Sequence, residues 1–376
     1  MATANSMTIT GPAKESGLQV LSVRQLVWLR FRRNRPAVWS MAFLLFMYLL
    51  AGLAPFVAPY GVRTTHSQYS ACHPNGPRFL DAQGQFHLQP FVYGLDSKVD
   101  PKTFAKVYPT NTDKMYPVRF FASGEPYKLL GVLPTDKHLF QVDEPGKIFL
   151  LGTDKQGRDL FSRILFGSQV SLTVGLLGVA LSVMIGSFFG VLTGYFGGTV
   201  DNIVQRIIEA LMAFPQIPLW LALSSALPAN LSPIRVYFGV TIVLSIVNWG
   251  GLARQVRAKV LALRDLDYVV SARLVNCRDL RIILRHLLPN TISQVLVVAT
   301  LAIPGMILGE TALSFLGLGI RPPMTSWGLL LSEAQEVRVL LQQPWLLSPV
   351  AFVVAVCIAY NFLGDGMRDA ADPFAD

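Results

Sequence analysis

The sequence has few charged residues for its length. Charged side chains make up 15% of its 376 residues, whereas soluble domains average about 25%. The mean hydropathy of +0.44 supports the same interpretation, and together they predict a membrane protein. The net charge of +9 fits, because Lys and Arg gather in the cytoplasmic loops of membrane proteins. No basic patch is interleaved with aromatic residues, so we expect no nucleic-acid partner.

Cysteine is scarce as well. Cys72, Cys277 and Cys357 have no CxxC or similar spacing, which argues against a disulfide framework or a cysteine-based metal site. The histidines between positions 66 and 138 are scattered without ligand spacing, and we expect no metal site there. Residues 1–35 lead into a long apolar run without a small-residue cleavage site, so they predict no removable signal peptide.

A nucleotide-binding loop is also missing, although one stretch has similar spacing. In "LGTDKQGRDLF", Gly152 and Gly157 have the GxxxxG spacing. Arg158 and Asp159 then follow, where a phosphate-binding loop has Lys and Ser or Thr. A phosphate-binding loop also needs a strand before it and a helix after it, but here a polar region precedes. Since we find no residue order typical of a catalytic triad either, we expect this chain not to be an enzyme.

Long apolar runs dominate the rest of the sequence. Each run is about 20 residues long, which is enough for a helix to cross the ~30 Å hydrocarbon layer. The predicted spans are residues 38–58, 168–195, 203–227, 234–252, 291–313 and 345–363. The sequence therefore predicts an all-α polytopic membrane protein with six transmembrane helices.

Basic residues predict the orientation of these spans. Five arginines between positions 24 and 35 precede the first span, and the loop 253–290 is also rich in Lys and Arg. Both segments should be cytoplasmic. We therefore expect a cytoplasmic N-terminal segment 1–37, a first span 38–58, an external insert 59–150, a five-helix core 151–370 that contains the cytoplasmic loop 253–290, and a cytoplasmic tail 371–376.

Three local patterns refine this prediction. The insert 59–150 mixes proline, aromatic and charged residues, which favours a small folded unit with some strand over a disordered loop. Pro215 and Pro218 predict a kink in the third span. Along the second span, small residues recur every four positions and predict close packing against another helix; they are Ser182, Gly186, Gly190 and Gly194.

The cytoplasmic loop contains "LRDLDYVVSARLVNCRDLRIILRHLLPN". Its pattern predicts two short helices, the first over 264–275 and ended by Asn276 in the left-handed conformation. Asp279 is a candidate N-cap for the second helix, and Pro289 should end it before the fifth span. Periodicity alone leaves three interpretations open: helices on the membrane surface, helices docked into a partner, or a hairpin that ties two spans together.

This loop resembles the EAA loop of binding-protein-dependent ABC importer permeases, whose pattern is EAA-x3-G-x9-I-x-LP. Residues 270–272 take the EAA places, Asn276 the Gly place, His286 the Ile place and Leu288–Pro289 the LP places. The spacing agrees throughout. The sequence departs from the pattern at the Glu, the first Ala, the Gly and the Ile, and Val270 lacks the carboxylate of the family's Glu.

A second stretch is similar to the dipeptide/oligopeptide/nickel branch of that family. "GTDKQGRDLFSRILFGSQVSL" resembles the branch pattern GTDxxGRDxxSRxxxGxRxSL, with Gln169 in place of its second Arg, and "ETALSFLGLGIRPPMTSWG" also resembles this branch. Counting of the spans places the first motif outside, and its residues here are Gly152, Thr153, Asp154, Gly157, Arg158, Asp159, Ser162 and Arg163. The insert resembles the enlarged outer loop of a subgroup.

We expect this motif to shape the outer mouth or the dock for a binding protein. Thr153 or Asp154 is a candidate cap for the helix that follows. Arg158, Asp159 and Arg163 suit the polar face of an interfacial helix.

The resemblance implies a type I ABC importer permease fold with a small external insert, in the bacterial inner membrane. The chain would be one of two homologous membrane subunits, with two ATPase subunits that bind ATP and Mg and an external solute-binding protein. No cofactor would bind this chain itself. The family's coupling helix maps onto this loop, and the residues expected to contact the ATPase are Tyr268, Val270, Ser271, Ala272, Asn276 and Arg278. Peptides are the leading substrate, with oligosaccharides, opines and nickel as alternatives.

Two residues near the outer end of the fifth span are candidates for an outer gate. Glu310 lies about 30 Å along the helix from Pro289, and Phe315 follows it in "SFLGLG". Glu310 could instead cap the turn that begins there. A secondary transporter is a further alternative, but the sequence has no convincing inverted repeat and no pair of carboxylates at midspan. A membrane-anchored binding module, in which the insert does the work, is another.

Overall fold

Apolar helices make up most of the chain. The computed structural model describes residues 23–99, 101, 106–129, 131–228 and 230–371. Predictions about residues 1–22 and 372–376, including most of the predicted tail, lie outside the described residues. The helices are α1 Val23–Arg33, α2 Arg35–Gly52, α3 Ala54–Val57, α4 Leu160–Phe196, α5 Gly198–Ala213, α6 Gln216–Ser225, α7 Pro233–Leu263, α8 Asp267–Leu274, α9 Asp279–Ile282, α10 Leu288–Phe315, α11 Trp327–Ser332, α12 Val337–Gln342 and α13 Ser348–Ala371.

The described residues contain five helices that are long and apolar enough to cross a membrane, and six if one bent pair counts as a span. This agrees with the predicted multi-span fold. The first span is shorter than predicted, because α2 ends at Gly52 and the short helix α3 follows after Leu53. The second and fourth spans are longer, since α4 has 37 residues and α7 has 31.

The bent pair replaces the predicted third span 203–227. Helices α5 and α6 meet at an angle of 93°. The predicted proline effect is confirmed in position, but it is a complete break and not a kink in one helix. Pro215 has no N–H, and it forces the preceding Phe214 into an extended conformation with ψ 141°. The two residues therefore cannot continue the helix.

The stripe of small residues on α4 packs against α7, as predicted. A side-chain carbon added at Gly190 would lie 2.6 Å from the carbonyl oxygen of Ala253. Ser182, one helical turn before Gly186 on the same stripe, donates its hydroxyl hydrogen to the carbonyl of Ser245 over 3.2 Å. The backbones of the two helices thus touch, which only small residues permit.

The predicted break at Pro289 is wrong. Helix α10 joins α9 through a single π-helical turn, Ile283–Leu287, and the whole segment Asp279–Phe315 runs on as one span. The N–H of Leu288 donates to the carbonyl of Ile283, five residues back. Pro289 then lies in the first turn of α10. Proline suits this position, because the N–H groups of a first helical turn have no carbonyl partner within their own helix.

The insert folds around a β-sheet, which agrees with the predicted folded unit. A four-stranded antiparallel sheet has the order β1-β2-β5-β6, and β3 pairs with β4. Its core is a separate cluster that includes Cys72, Val92, Val118 and Phe149. The strands are β1 Arg78–Leu80, β2 Phe86–Leu95, β3 Lys98–Val99, β4 Lys106–Val107, β5 Thr110–Leu129 and β6 Leu133–Val142.

The insert is closed at its base and is bonded to the chain just after α3. Asn75 and Phe149 exchange two backbone hydrogen bonds of 2.7 and 3.1 Å, so the chain leaves and returns at one place. A ring nitrogen of His138 on β6 lies 2.7 Å from the carbonyl oxygen of Ala58, just after α3. These contacts fix the sheet beside α3.

Candidate functional site

The loop between α7 and α10 presents a short helix, α8, outside the membrane-spanning segments. The helix ends at Asn276, whose φ of +57° confirms the predicted left-handed residue. The N–H of Cys277 donates to the carbonyl of Ala272 over 3.1 Å and closes the turn. At its other end α8 begins at Asp267, three residues later than predicted, because Arg264 still caps α7.

The two faces of α8 have different surroundings. Val269 and Ala272 are buried in an apolar cluster with Ile282 and Leu287 of the same chain. Ala272 thus faces inward, whereas the other residues predicted to contact an ATPase are exposed. These exposed residues are Tyr268, Val270, Ser271, Asn276 and Arg278.

Exposed apolar residues adjoin this outer face. Leu274 at the end of α8 is 82% exposed, and the next residue, Val275, is 74% exposed. Two neighbouring apolar side chains with so much contact with water are unusual in a polar loop, and such patches mark interaction sites. Arg278 and Arg281 flank the patch and add positive charge.

The loop is anchored to α4 by a contact that the sequence analysis did not predict. Tyr195 donates its hydroxyl hydrogen to Asp279 over 2.5 Å, and the guanidinium of Arg273 lies 4.9 Å from the centre of its ring. The predicted N-cap role of Asp279 is wrong, because Arg278 takes that position and Asp279 begins α9. The carboxylate binds Tyr195 instead of the helix backbone.

The motif that follows the insert forms a buried ion-pair cluster, which we call the outer cluster: Asp154, Arg158, Arg163 and Glu333. Arg163 is only 2% exposed and lies 2.5 Å from Asp154 and 2.8 Å from Glu333. Arg158 contacts the same two carboxylates at 2.6 and 3.0 Å. The predicted polar face of an interfacial helix is therefore wrong for these arginines. They join the start of α4 to the end of α11.

Asp159, and neither Thr153 nor Asp154, caps α4. Its carboxylate accepts hydrogen bonds from the N–H and the hydroxyl of Ser162, at 2.7 and 2.6 Å. Burial raises the pKa of Asp159 to about 7, and the nearby charge of Asp154 adds to the shift, while the hydrogen bonds from Ser162 oppose it. The predicted cap was thus placed five or six residues too early.

The two glycines of the motif occupy turns that other residues would not enter easily. Gly152 and Gly157 both have φ of +77°. A side-chain carbon at Gly152 would lie 2.7 Å from the carbonyl oxygen of Cys72, and one at Gly157 would meet the backbone of His66. The GxxxxG spacing therefore serves two close backbone contacts with the insert, which is an alternative to phosphate binding.

Thr153 completes this joint. Its hydroxyl donates to the carbonyl of Tyr69 over 2.5 Å and accepts from the N–H of Cys72 over 2.8 Å. Its own carbonyl accepts from the indole N–H of Trp345, just before α13. One residue thus connects the insert, the start of α4 and the last span.

Glu310 is fully buried and does not lie on an open surface. It accepts hydrogen bonds from the hydroxyls of Ser171 on α4 and Ser314 on α10, at 2.9 and 2.7 Å. The hydroxyl of Ser314 accepts from the N–H of Ile320 in the following turn. Glu310 therefore reaches that turn through Ser314. Phe315 is partly exposed, and an outer gate at these two residues stays a prediction.

Within the part of the chain that the structure describes, no group of three or more His, Cys, Asp or Glu is placed to hold a metal ion. Three histidines of the insert instead contact backbone carbonyls or a single carboxylate; they are His73, His87 and His138. His73, for example, lies 2.8 Å from the carbonyl oxygen of Tyr108, and His87 lies 2.9 Å from Asp81.

Several apolar spans, an exposed helix in a basic loop and a folded insert define a polytopic membrane protein. The sequence model described as the binding-protein-dependent transport system inner membrane component matches residues 186–375, and the one described as the N-terminal transmembrane domain of oligopeptide transport permease C matches residues 22–77. The chain belongs to the family of binding-protein-dependent transport system inner membrane components. Residues 78–185, which include the sheet, lie between the two matches.

Characterised relatives agree with this membership. The chain is 41% identical over 224 residues to the oligopeptide transport system permease protein OppC of Haemophilus influenzae, a match that covers 59% of this chain and 69% of the relative. It is 38% identical over 229 residues to the glutathione transport system permease protein GsiD of Pectobacterium atrosepticum, covering 61% and 74%. The dipeptide transport system permease protein DppC of Bacillus subtilis is 30% identical over 355 residues, covering 94% and 86%.

Proposed function

We propose that this chain forms part of the transmembrane pathway of an ATP-driven ABC importer and that the transported solutes are peptides. Membership of the permease family establishes the importer class. The observation that carries the substrate class is the similarity to three relatives named for oligopeptide, dipeptide and glutathione transport. All three solutes contain amide bonds between amino acids, so the shared chemistry is that of a short peptide.

In this proposal ATP is hydrolysed by separate ATPase subunits, which hold the nucleotide and Mg, and not by this chain. The outer face of α8 is the docking surface for one ATPase, through Tyr268, Val270, Ser271, Asn276 and Arg278. Their exposure, together with the apolar pair Leu274 and Val275, supports this assignment. Ala272 supports α8 from the inside, because it packs within the chain's own apolar cluster.

The proposed importer also contains a second permease and an external binding protein, and its orientation in the membrane follows from the basic residues. A second, homologous permease completes the pathway, and a solute-binding protein delivers the peptide from outside. We place the insert and the outer cluster on that external side and the termini in the cytoplasm, because the arginines before α2 and in the α8 loop favour the cytoplasmic face. The family places the chain in the bacterial inner membrane.

The docking surface can be tested by adding bulk and charge to it. Ser271→Arg should abolish uptake of a labelled tripeptide by the complete importer in proteoliposomes, because the long side chain prevents α8 from seating in a cleft. ATPase activity should persist without stimulation by the peptide-loaded binding protein. Ala258→Arg, at an exposed position near the end of α7, is the matched control and should leave uptake within about twofold of wild type.

Two results would contradict the proposal in different ways. Normal uptake by Ser271→Arg would move the ATPase contact away from α8. If the wild-type importer carries no peptide but does carry an oligosaccharide, an opine or nickel, the importer class stands and the substrate class is wrong.

A further inference from the structure

A cavity of about 320 Å³ lies among α4, α5, α6, α7 and α10. Its lining residues come from the middle of these elements: Ser182 from α4, Asn248 from α7 and Met306 from α10. The break between α5 and α6 contributes Met212 and Gln216. The cavity is thus at midspan, where membrane transporters commonly place a solute site.

Three carboxamide side chains line this cavity, beside the hydroxyl of Ser182, which donates to the carbonyl of Ser245. Gln216 donates to the side-chain oxygen of Asn248 over 3.0 Å, and Asn248 donates to the carbonyl of Leu244 over 2.9 Å. Gln255 also lines the cavity, and none of the described residues around it is charged. Polar side chains at midspan are costly in a membrane unless they face protein or water, and their presence indicates a functional site.

Two further features adjoin this cavity. The break at Phe214 and Pro215 ends α5, whose last carbonyls have no intrahelical partner, and irregular backbone at this depth occurs only where it is buried in protein or lines a water-filled cavity. Trp220 lines the cavity and is 6% exposed, yet its indole N–H has no hydrogen-bond partner among the described residues. A buried N–H without a partner costs free energy that a bound acceptor would recover.

We propose that this cavity is a subsite that binds the backbone amides of a peptide during its passage, with Gln216 and Asn248 as the principal contacts and the Trp220 N–H as an additional donor. The inference rests on the proposed function and adds where and how the peptide is held. A carboxamide both donates and accepts hydrogen bonds, as a peptide bond does. Because the lining carries no charge, it does not favour acidic over basic peptides by charge attraction.

The test uses the complete importer in proteoliposomes and radiolabelled trialanine. Gln216→Leu and Asn248→Leu should each lower trialanine uptake at least tenfold, while the loaded binding protein still stimulates ATP hydrolysis. Gln216→Asn, which keeps the carboxamide, should restore at least a third of wild-type uptake. Gln294→Leu makes the same change at an exposed position of α10 away from the cavity and should stay within twofold of wild type.

A labelling experiment covers the case in which the Leu variants also lose ATPase stimulation. Gly251→Cys, in a chain with Cys277→Ser and Cys357→Ser, adds a thiol at a lining position where an added side-chain carbon meets nothing within 4 Å. It should react with a hydrophilic thiol reagent, and trialanine with its binding protein should slow the reaction at least threefold. Cys72 can stay, because its thiol is buried. Wild-type uptake by both Leu variants, or labelling that trialanine does not slow, overturns the subsite. Failure of the wild-type importer to carry trialanine contradicts the proposed function instead.

Discussion

A buried arginine between two carboxylates determines how the outer end of α4 is held. Arg163 bridges Asp154 and Glu333 in the outer cluster. Arg163→Met should lower the free energy of unfolding by roughly 3–5 kcal/mol, because two carboxylates would lose a buried partner. Thermal unfolding of the purified chain in detergent, followed by tryptophan fluorescence, measures the change.

The pair Arg206–Glu209 supplies the control for that measurement. Its side chains are 2.8 Å apart, but Arg206 is 83% exposed. Arg206→Met should therefore cost at most about 1 kcal/mol. Equal losses of unfolding free energy in the two variants would mean that the buried outer cluster stabilises the chain no more than an exposed ion pair does.

The cap of α4 predicts a pH dependence of stability. The pKa of Asp159 rises from 3.8 to about 7 on folding, so its contribution is fully present below pH 3.8 and is lost as the pH rises towards 7. Across that range wild type should lose up to about 1.4 kcal/mol per pH unit relative to Asp159→Asn, which keeps a good capping side chain but does not titrate. Unfolding temperatures of both proteins between pH 5 and 8 check this; parallel curves would contradict it.

Local geometry at single residues could be predicted from the sequence, whereas distant partners could not. Asn276 takes the left-handed conformation expected of it, because a short polar side chain tolerates positive φ. Asp159 was missed as a cap because several polar residues precede α4. Glu333 was missed because 170 positions separate it from Arg163, and only the packed helices bring the two together.

At the scale of elements, the contact between α4 and α7 depends on the absence of side chains. Gly190→Ala should destabilise the chain by about 1–3 kcal/mol, since the new carbon would lie 2.6 Å from a backbone oxygen of α7 that cannot move alone. Gly305→Ala, with nothing within 4 Å of the added carbon, should be neutral or slightly stabilising. The same unfolding assay compares the two. An unchanged unfolding free energy in Gly190→Ala would show that α4 and α7 can move apart without cost.

The positions of the spans followed from hydropathy, but the shape of two of them did not. Pro215 indicated a disturbance in the third span, yet whether a proline kinks or breaks a helix depends on the neighbours that satisfy the freed backbone groups. Pro289 was expected to end a helix and instead follows a π-helical turn. Short-range patterns identify such residues, and tertiary packing decides their effect.

For the whole molecule, the orientation in the membrane is the main prediction. Gln156 in the motif before α4 is exposed and should lie outside, whereas Cys277 next to α8 should lie in the cytoplasm. In intact cells with a permeabilised outer barrier, a membrane-impermeant thiol reagent should label Gln156→Cys at once. The native Cys277 should react only after lysis. The opposite order of labelling would invert the proposed topology.

The structure of the insert could be predicted from the sequence only in part. Its mixed composition indicated a folded unit with strands. Its sheet order, in which β2 pairs with the distant β5, depends on register set by side-chain packing across more than twenty residues. Neither family match covers these strands.

The paired backbones of Asn75 and Phe149 have a consequence for how such permeases diversify. Because the chain departs and returns through one pair of residues, an ancestor could gain, lose or exchange the segment between them while both of its ends stay in place, at the cost of contacts such as that of His138 with Ala58. The helical body would then evolve under the demands of transport and the sheet under those of its external surroundings. The same junction offers protein engineers a place to graft a reporter domain above the membrane.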